Sequence, residues 1–164
     1  FVISCLSNCA CIVTWLYFYT GISVIVLAIA LISLLKILVI ALKYNSGAAQ
    51  KWFINFPFQI YSGWVSVALI AALAAWLTKI NWSGFDISAE KWTVVMIAIA
   101  TIINLLMIFK KNAPIFAFVA VWALIAIAVA NKEASHYIYI ASFIAAGIIF
   151  ISSCLKIYQN KSTD

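Results

Sequence analysis

The segment 57–79, PFQIYSGWVSVALIAALAAWLTK, constrains this chain most strongly, because it carries no charge before its final lysine. A helix crosses the roughly 30 Å hydrocarbon core of a bilayer with about 20 apolar residues at ~1.5 Å rise per residue. At helical spacing, Tyr61, Trp64, Ala68 and Ala75 fall on one stripe. The segment therefore predicts a transmembrane helix with aromatic side chains toward its start and a close-packing alanine surface toward its end.

The rest of the chain has the same character, since 68% of its 164 residues are hydrophobic and 9% are charged. A soluble domain cannot bury so much apolar surface, so part of it must face lipid. The apolar runs are continuous rather than alternating, which excludes a transmembrane β-barrel. The predicted fold is an all-α, polytopic membrane bundle of six helices. These are predicted at 1–18, 22–42, 57–77, 92–109, 114–130 and 137–157.

The lysines predict an orientation in the membrane. Short loops between consecutive spans require antiparallel neighbours, so alternate loops lie on the same side. Lys79, Lys91 and Lys132 fall on one side, diluted by nearby acids. The other side carries the larger group, which is Lys43, Lys51, Lys110, Lys111, Lys156 and Lys161. The cytoplasmic bias of lysine makes that second side cytoplasmic, with both ends of the chain inside. Because the lysines lie in short loops rather than on one groove-sized face, nucleic acid is not a predicted partner.

Enzymatic chemistry has few residues to use. The four carboxylates lie in loops or at the tail, and the single histidine, His136, lies at the start of a span. No acid pair, nucleophile triad or phosphate loop is available within the membrane, so no enzyme and no catalytic residue is predicted. Cys5 and Cys9 share a helix face, as half of a metal site would, but cysteine is also a common small apolar residue in membrane helices. No metal site is predicted.

Each remaining polar side chain within a predicted span has two possible roles. Asn8, Gln59 and Asn104 must find partners away from lipid, either through hydrogen bonds between helices or as polar contacts to a ligand. Lys36 either extends its side chain to the headgroups or belongs to an ion path. Most tryptophans lie near span ends and are predicted as interfacial anchors. The deeper ones, Trp15, Trp64 and Trp122, are better candidates for lining a cavity.

Two runs in the first half resemble a known family. LSNCACIVTWLYFY, residues 6–19, resembles the third helix of the tryptophan-rich sensory proteins (the translocator-protein or TspO/MBR family), with Asn8 and Trp15 at matching positions. FPFQIYSGWVSVALIAAL, residues 56–73, resembles the fifth helix, with Pro57, Trp64 and Ala68 matching. Residues 22–42 would then be the fourth helix. Ala72 stands near a position where the family has an asparagine.

The last three spans resemble the C-terminal extension of the longer, bacterial-type members of that family. The chain also begins at Phe1, within an apolar run and without an initiator methionine. We therefore expect a long member that lacks its N-terminal helices in this chain. Two parts are predicted: residues 1–79 resemble the C-terminal part of the family core, and residues 80–164 form a three-helix membrane extension.

The resemblance implies a function. Such proteins bind a hydrophobic planar small molecule, tetrapyrrole- or sterol-like, as sensor, carrier or regulator in a bacterial inner membrane. The ligand-binding residues implied are Asn8, Trp15, Tyr61, Trp64 and Ala68, with a tetrapyrrole or a lipid as the bound group. The alternative is an accessory structural subunit of a larger membrane complex. Membrane lipid, a homo-oligomer and a larger complex are the further partners expected.

Overall fold

A computed structural model describes residues 2–43, 50–82 and 88–161 of the chain. The structure is 90% helical, and no strand occurs in the described residues, so the predicted all-α fold is confirmed. Every predicted span corresponds to one helix, with ends within a few residues of those expected. The six helices are α1 (Val2–Leu16), α2 (Thr20–Lys43), α3 (Phe56–Lys79), α4 (Ala89–Lys111), α5 (Pro114–Ala130) and α6 (His136–Lys161), and a short π-helical turn, Lys51–Asn55, precedes α3.

The ends of the helices follow from local chemistry. Pro57 and Pro114 lie in the first turns of α3 and α5, where proline's fixed φ suits the helix and its missing N–H costs nothing. α4 ends at Asn112, whose left-handed backbone (φ 54°, ψ 40°) closes the helix with a hydrogen bond from its N–H to the Met107 carbonyl. α4 begins after Ser88, three residues before the predicted start at Trp92, and the Ser88 side chain makes no capping hydrogen bond.

The chain divides into two compact units, Phe1–Trp82 and Ser83–Asp164. In the first unit, α2 packs against α1 and also against α3. In the second unit, α4, α5 and α6 each pack against the other two, with α5 and α6 in the most extensive contact. The first unit is therefore centred on α2, and the second is a three-helix bundle.

Small and polar residues join α1 to α2. Ser4 and Ser7 of α1 are buried, and so is Ser23 of α2. Thr14 Oγ1 donates to the Cys11 carbonyl at 3.0 Å and accepts a hydrogen bond from Ser23 Oγ at 2.9 Å. Small side chains let two helix backbones approach closely, and hydroxyl groups add polar contacts that lipid cannot offer. The stripe Ser4–Ser7–Cys11–Thr14 is thus the face that α1 turns toward α2.

The cores of the two units are aliphatic. The first is built by Leu27, Ala30 and Leu34 of α2 with Val65 and Ala72 of α3. In the second, Ala117, Ala145 and Ala146 are buried, so small side chains form part of the helix–helix contacts. Outside the cores, many large apolar side chains are exposed, as expected for helices that face lipid. Examples are Ile25, Ile32, Ile102 and Ile151.

Candidate functional site

Three of the five predicted ligand-binding residues lie on α3, and they differ in exposure. Tyr61 and Ala68 are half-buried against the core of the first unit. Trp64 is 49% exposed at the edge of the same face. Ala72 is buried in that core, so the position where the family has an asparagine faces α2 in this chain.

The other two predicted residues, Asn8 and Trp15, lie on α1 and are exposed. They are seven positions apart and therefore share one side of the helix. That side flanks the stripe that packs on α2. The sequence predicts that Asn8, Gln59 and Asn104 all face protein. Gln59 and Asn104 are buried, but Asn8 is exposed on the surface of the first unit. The reason is its position one residue beyond Ser7, about 100° around the helix from the contact with α2.

The core of the first unit shows which way the Asn8 side of α1 faces. Tyr61 and Ala68 of α3 pack against the core that α2 and α3 share. Cys11 also packs against the core that α2 and α3 share. Asn8 is three residues from Cys11, so it lies on the adjoining side of α1. The Asn8 side of α1 and the Tyr61 side of α3 therefore border one groove over α2, called here the α1–α3 groove.

The five predicted residues differ in depth along the helices. Trp76 of α3 packs against Gly21, in the turn after α1, so these helix ends lie at one level. By helical rise, Ala68, Trp64 and Tyr61 lie about 12, 18 and 22 Å below Trp76, and Asn8 lies about 12 Å below the end of α1 at Leu16. Asn8 is therefore closest in depth to Ala68 and Trp64, while Tyr61 is deeper and Trp15 lies about 10 Å above Asn8.

A pocket of about 330 Å³ opens at the α1–α2 turn, a site that the sequence analysis did not predict. The Lys79 ammonium donates a 2.7 Å hydrogen bond to the Phe18 carbonyl, and Phe18 has a left-handed backbone with φ 57°. A Cβ on Gly21 would lie 3.0 Å from Trp76 Nε1, so glycine is what lets the indole lie against the turn. The residues lining this turn pocket are Phe18, Tyr19, Thr20, Gly21, Ile22, Trp76, Lys79 and Ile80.

Weak signals of that pocket are present in the sequence. Trp76 and Lys79 are predicted as a span-end anchor and a loop charge, and Gly21 marks a tight turn. None of these patterns predicts that the end of α3 contacts the α1–α2 turn, because the contact joins Lys79 to Phe18, which are 61 positions apart. The pocket is therefore a product of packing between helices.

The π-helical turn before α3 is amphipathic. Trp52 and Phe53 are exposed, whereas Asn55 is buried. The Trp52 and Phe56 rings lie with centroids 5.6 Å apart. This arrangement fits a segment whose aromatic side faces the membrane interface.

Buried polar atoms without partners occur in both units, and those of the first are Asn55 Oδ1 and Ser62 Oγ. Asn104 Nδ2 donates to the Ala100 carbonyl in its own helix at 2.9 Å, while its Oδ1 has no partner. The Ser142 and Ser153 hydroxyls are also buried without partners. The four cysteines are free thiols. Within the described residues, no group of three or more His, Cys, Asp or Glu side chains is placed to hold a metal ion.

The helices and their exposed apolar surfaces define the class of protein. Four helices of the described residues are long and apolar enough to cross a membrane, namely Thr20–Lys43, Trp52–Lys79, Ala89–Lys111 and His136–Asn160. Val2–Leu16 and Pro114–Ala130 are shorter apolar helices. The chain is an integral membrane protein of the helical-bundle class.

Comparison with known proteins then gives the family. Residues 1–155 match the family model described as TSPO-like protein, and the chain belongs to that family. The resemblance predicted from the Asn8 and Trp64 motifs is therefore confirmed. Neither the curated proteins nor the solved structures contain a match to the chain.

Proposed function

We propose that this TSPO-like membrane protein binds a flat hydrophobic small molecule, tetrapyrrole- or sterol-like, in the α1–α3 groove. The observation that carries the proposal is the exposed carboxamide of Asn8, which lies in the groove at the level of Trp64. No described residue forms a hydrogen bond with that carboxamide. An amide at this depth is costly in contact with lipid, so a polar partner must reach it from outside the first unit.

Each groove residue has a distinct part in this proposal. The Trp64 ring offers a flat face for stacking on a planar ligand, and the Tyr61 ring extends that apolar wall. Ala68 leaves room above them because its side chain is small. Asn8 orients the ligand by accepting from or donating to a polar substituent. Trp15, about 10 Å above Asn8, would contact only a ligand long enough to extend toward the α1–α2 turn.

Removal of the stacking face tests the proposal directly. Trp64→Ala should weaken binding of protoporphyrin IX about tenfold, because stacking on a tryptophan ring is lost. Binding is measured from the Soret band in detergent micelles, a signal that does not depend on the number of tryptophans. Trp122→Ala, an exposed tryptophan on α5 in the second unit, is the matched control and should leave affinity unchanged. Equal affinity of the Trp64→Ala and unsubstituted proteins, both folded, would overturn the proposal.

A membrane-complex subunit is the second candidate, and the same observation favours it. Another protein's transmembrane helix with a polar side chain could also satisfy Asn8 from outside the unit. Native mass spectrometry after purification in mild detergent separates the two functions. A bound pigment or sterol at one per chain supports the first, and a stoichiometric partner subunit without ligand supports the second.

The proposed role is that of a binding protein rather than an enzyme, acting as sensor, carrier or regulator in a bacterial inner membrane. The loop lysines support an orientation with both ends of the chain in the cytoplasm. The turn pocket would then open on the opposite side of the membrane. Green fluorescent protein fused after Asp164 should fluoresce, and alkaline phosphatase fused there should be inactive; the reverse pattern would contradict this orientation.

A further inference from the structure

We infer that the turn pocket is a second binding site, which takes the phosphate group of a membrane lipid or a free phosphate. It lies at the far end of α3 from the groove level of Tyr61, about 25 Å away by helical rise, so it is separate from the proposed ligand site. The proposal rests on three properties of this pocket: its position, its lysine ammonium and its combination of polar and apolar walls.

The position of the pocket brings it to the membrane surface. It forms where α3, one of the helices long enough to cross a membrane, ends at Lys79. The α1–α2 turn lies beside that end, because Lys79 bonds to Phe18. Headgroup phosphates lie at this depth in a bilayer, just outside the hydrocarbon core. A pocket of about 330 Å³ is large enough to admit a phosphate with part of its glycerol.

The residues that line the pocket carry one charge, the Lys79 ammonium, and include no acid. Residues 1–82 contain no Asp or Glu, and the first acid of the chain is Asp86. The Lys79 ammonium has three donors and gives one to the Phe18 carbonyl. The remaining two are available to an anion. The hydrogen bond to Phe18 also holds the ammonium at the pocket, which lowers the entropy lost when an anion binds.

The walls fit a phosphate that carries an apolar portion. Thr20 supplies a hydroxyl, and the first backbone N–H groups of α2, at Gly21 and Ile22, have no acceptor within the helix. On the other side, Trp76 and Ile80 supply apolar surface. Tryptophan is favoured at the headgroup level because it is apolar with one polar N–H. A pocket that combines polar donors with apolar walls matches a lipid phosphate better than a small inorganic ion.

The test compares charge variants by native mass spectrometry of the full chain in detergent, after addition of phosphatidylglycerol or phosphatidylcholine. Lys79→Gln keeps a donor for the Phe18 carbonyl but removes the charge, so retention of phosphatidylglycerol should fall about tenfold. Lys79→Arg should keep retention near that of the unsubstituted protein. Lys43→Gln, which removes an exposed lysine from the opposite end of α2, is the matched control and should also retain the lipid.

Inorganic phosphate separates the two sources of the phosphate group. Competition at millimolar concentration that is lost in Lys79→Gln supports a site for free phosphate; lipid retention that inorganic phosphate does not reduce supports a site for a headgroup. Equal phosphatidylglycerol retention by the unsubstituted, Lys79→Gln and Lys43→Gln proteins would overturn the inference, provided that circular dichroism shows equal helix content. An equal loss in both glutamine variants would also overturn it, because general charge attraction would then explain binding. Protoporphyrin affinity should not change in Lys79→Gln, so failure here is distinguishable from failure of the groove proposal.

Discussion

Ser23 Oγ donates a hydrogen bond to Thr14 Oγ1 across the interface between α1 and α2, with the two oxygens 2.9 Å apart. Ser23 is fully buried, and its hydroxyl also lies 3.1 Å from the Tyr19 carbonyl oxygen. The pair sets the register of the two helices close to their connecting turn. Because Asn8 and Trp15 flank the stripe that contains Thr14, this register also decides which side of α1 borders the groove.

Loss of the Ser23 hydroxyl should destabilise the first unit. Ser23→Ala removes the donor to Thr14 and should lower the free energy of unfolding by about 1 kcal/mol, the usual net value of one hydrogen bond. Reversible unfolding in mixed SDS and dodecyl maltoside micelles, followed by circular dichroism, measures the change. Ser33→Ala is the control, since Ser33 bonds only to the Ile29 carbonyl within α2. A loss as large in Ser33→Ala would show that the contact between helices is not the cause.

The left-handed backbone at Asn112 predicts a strong dependence on residue type. Asn112→Val should lower the free energy of unfolding by about 1–2 kcal/mol, because a β-branched residue is strained at φ 54°. Asn112→Gly should be within about 0.5 kcal/mol of the unsubstituted protein, since it relieves strain but loses the exposed hydrogen bond from Asn160 Nδ2. Thermal unfolding in detergent measures both.

Asn131 provides the control for that prediction. It also ends a helix, but its φ is −104°, where valine fits without strain. Asn131→Val should therefore cost less than Asn112→Val. Equal losses at the two positions would mean that the amide side chains, and not the backbone of Asn112, determine the stability of these helix ends.

The unpartnered oxygen of Asn104 predicts an unusual gain. Asn104→Leu should leave stability unchanged or raise it by up to about 1 kcal/mol, because a buried acceptor without a donor is replaced by an apolar group of similar size. The same detergent unfolding assay measures the change, with Ser142→Ala as a second case of a buried unpartnered oxygen. A clear loss of stability in Asn104→Leu would contradict the prediction and show that Oδ1 has a bound partner.

Much of the fold follows from the sequence. The runs at 22–42 and 114–130 are apolar enough to leave little choice but a helix, and proline and the terminal lysines mark where helices begin and end. These features act locally, through helical hydrogen bonds and the cost of exposing a backbone to lipid, so no knowledge of neighbouring helices is needed. The family followed in the same way, from residues Asn8, Trp15 and Trp64 within single helices.

The sequence does not predict equally well which side of each helix contacts another helix. In a soluble protein the apolar side of a helix marks the core, but a membrane helix is apolar all round, so its pattern does not reveal which side meets another helix. Asn8 and Asn104 look alike in sequence, yet one is exposed on its unit and the other is buried. Packing decides this difference.

The sequence by itself thus determined that the chain has six helices, that it is a membrane protein and that it belongs to this family. The reason is that the length of an apolar run and the local backbone chemistry are properties of each segment alone. Only the tertiary structure decided that Asn8 and Tyr61 border one groove, that Trp15 lies at another level, and that Lys79 and Gly21 meet in a pocket. Those outcomes depend on which small residues let two helix backbones approach each other. Ser7 of α1 and Ala30 of α2, both buried, are examples. Close packing is a relation between helices, and no single helix encodes it.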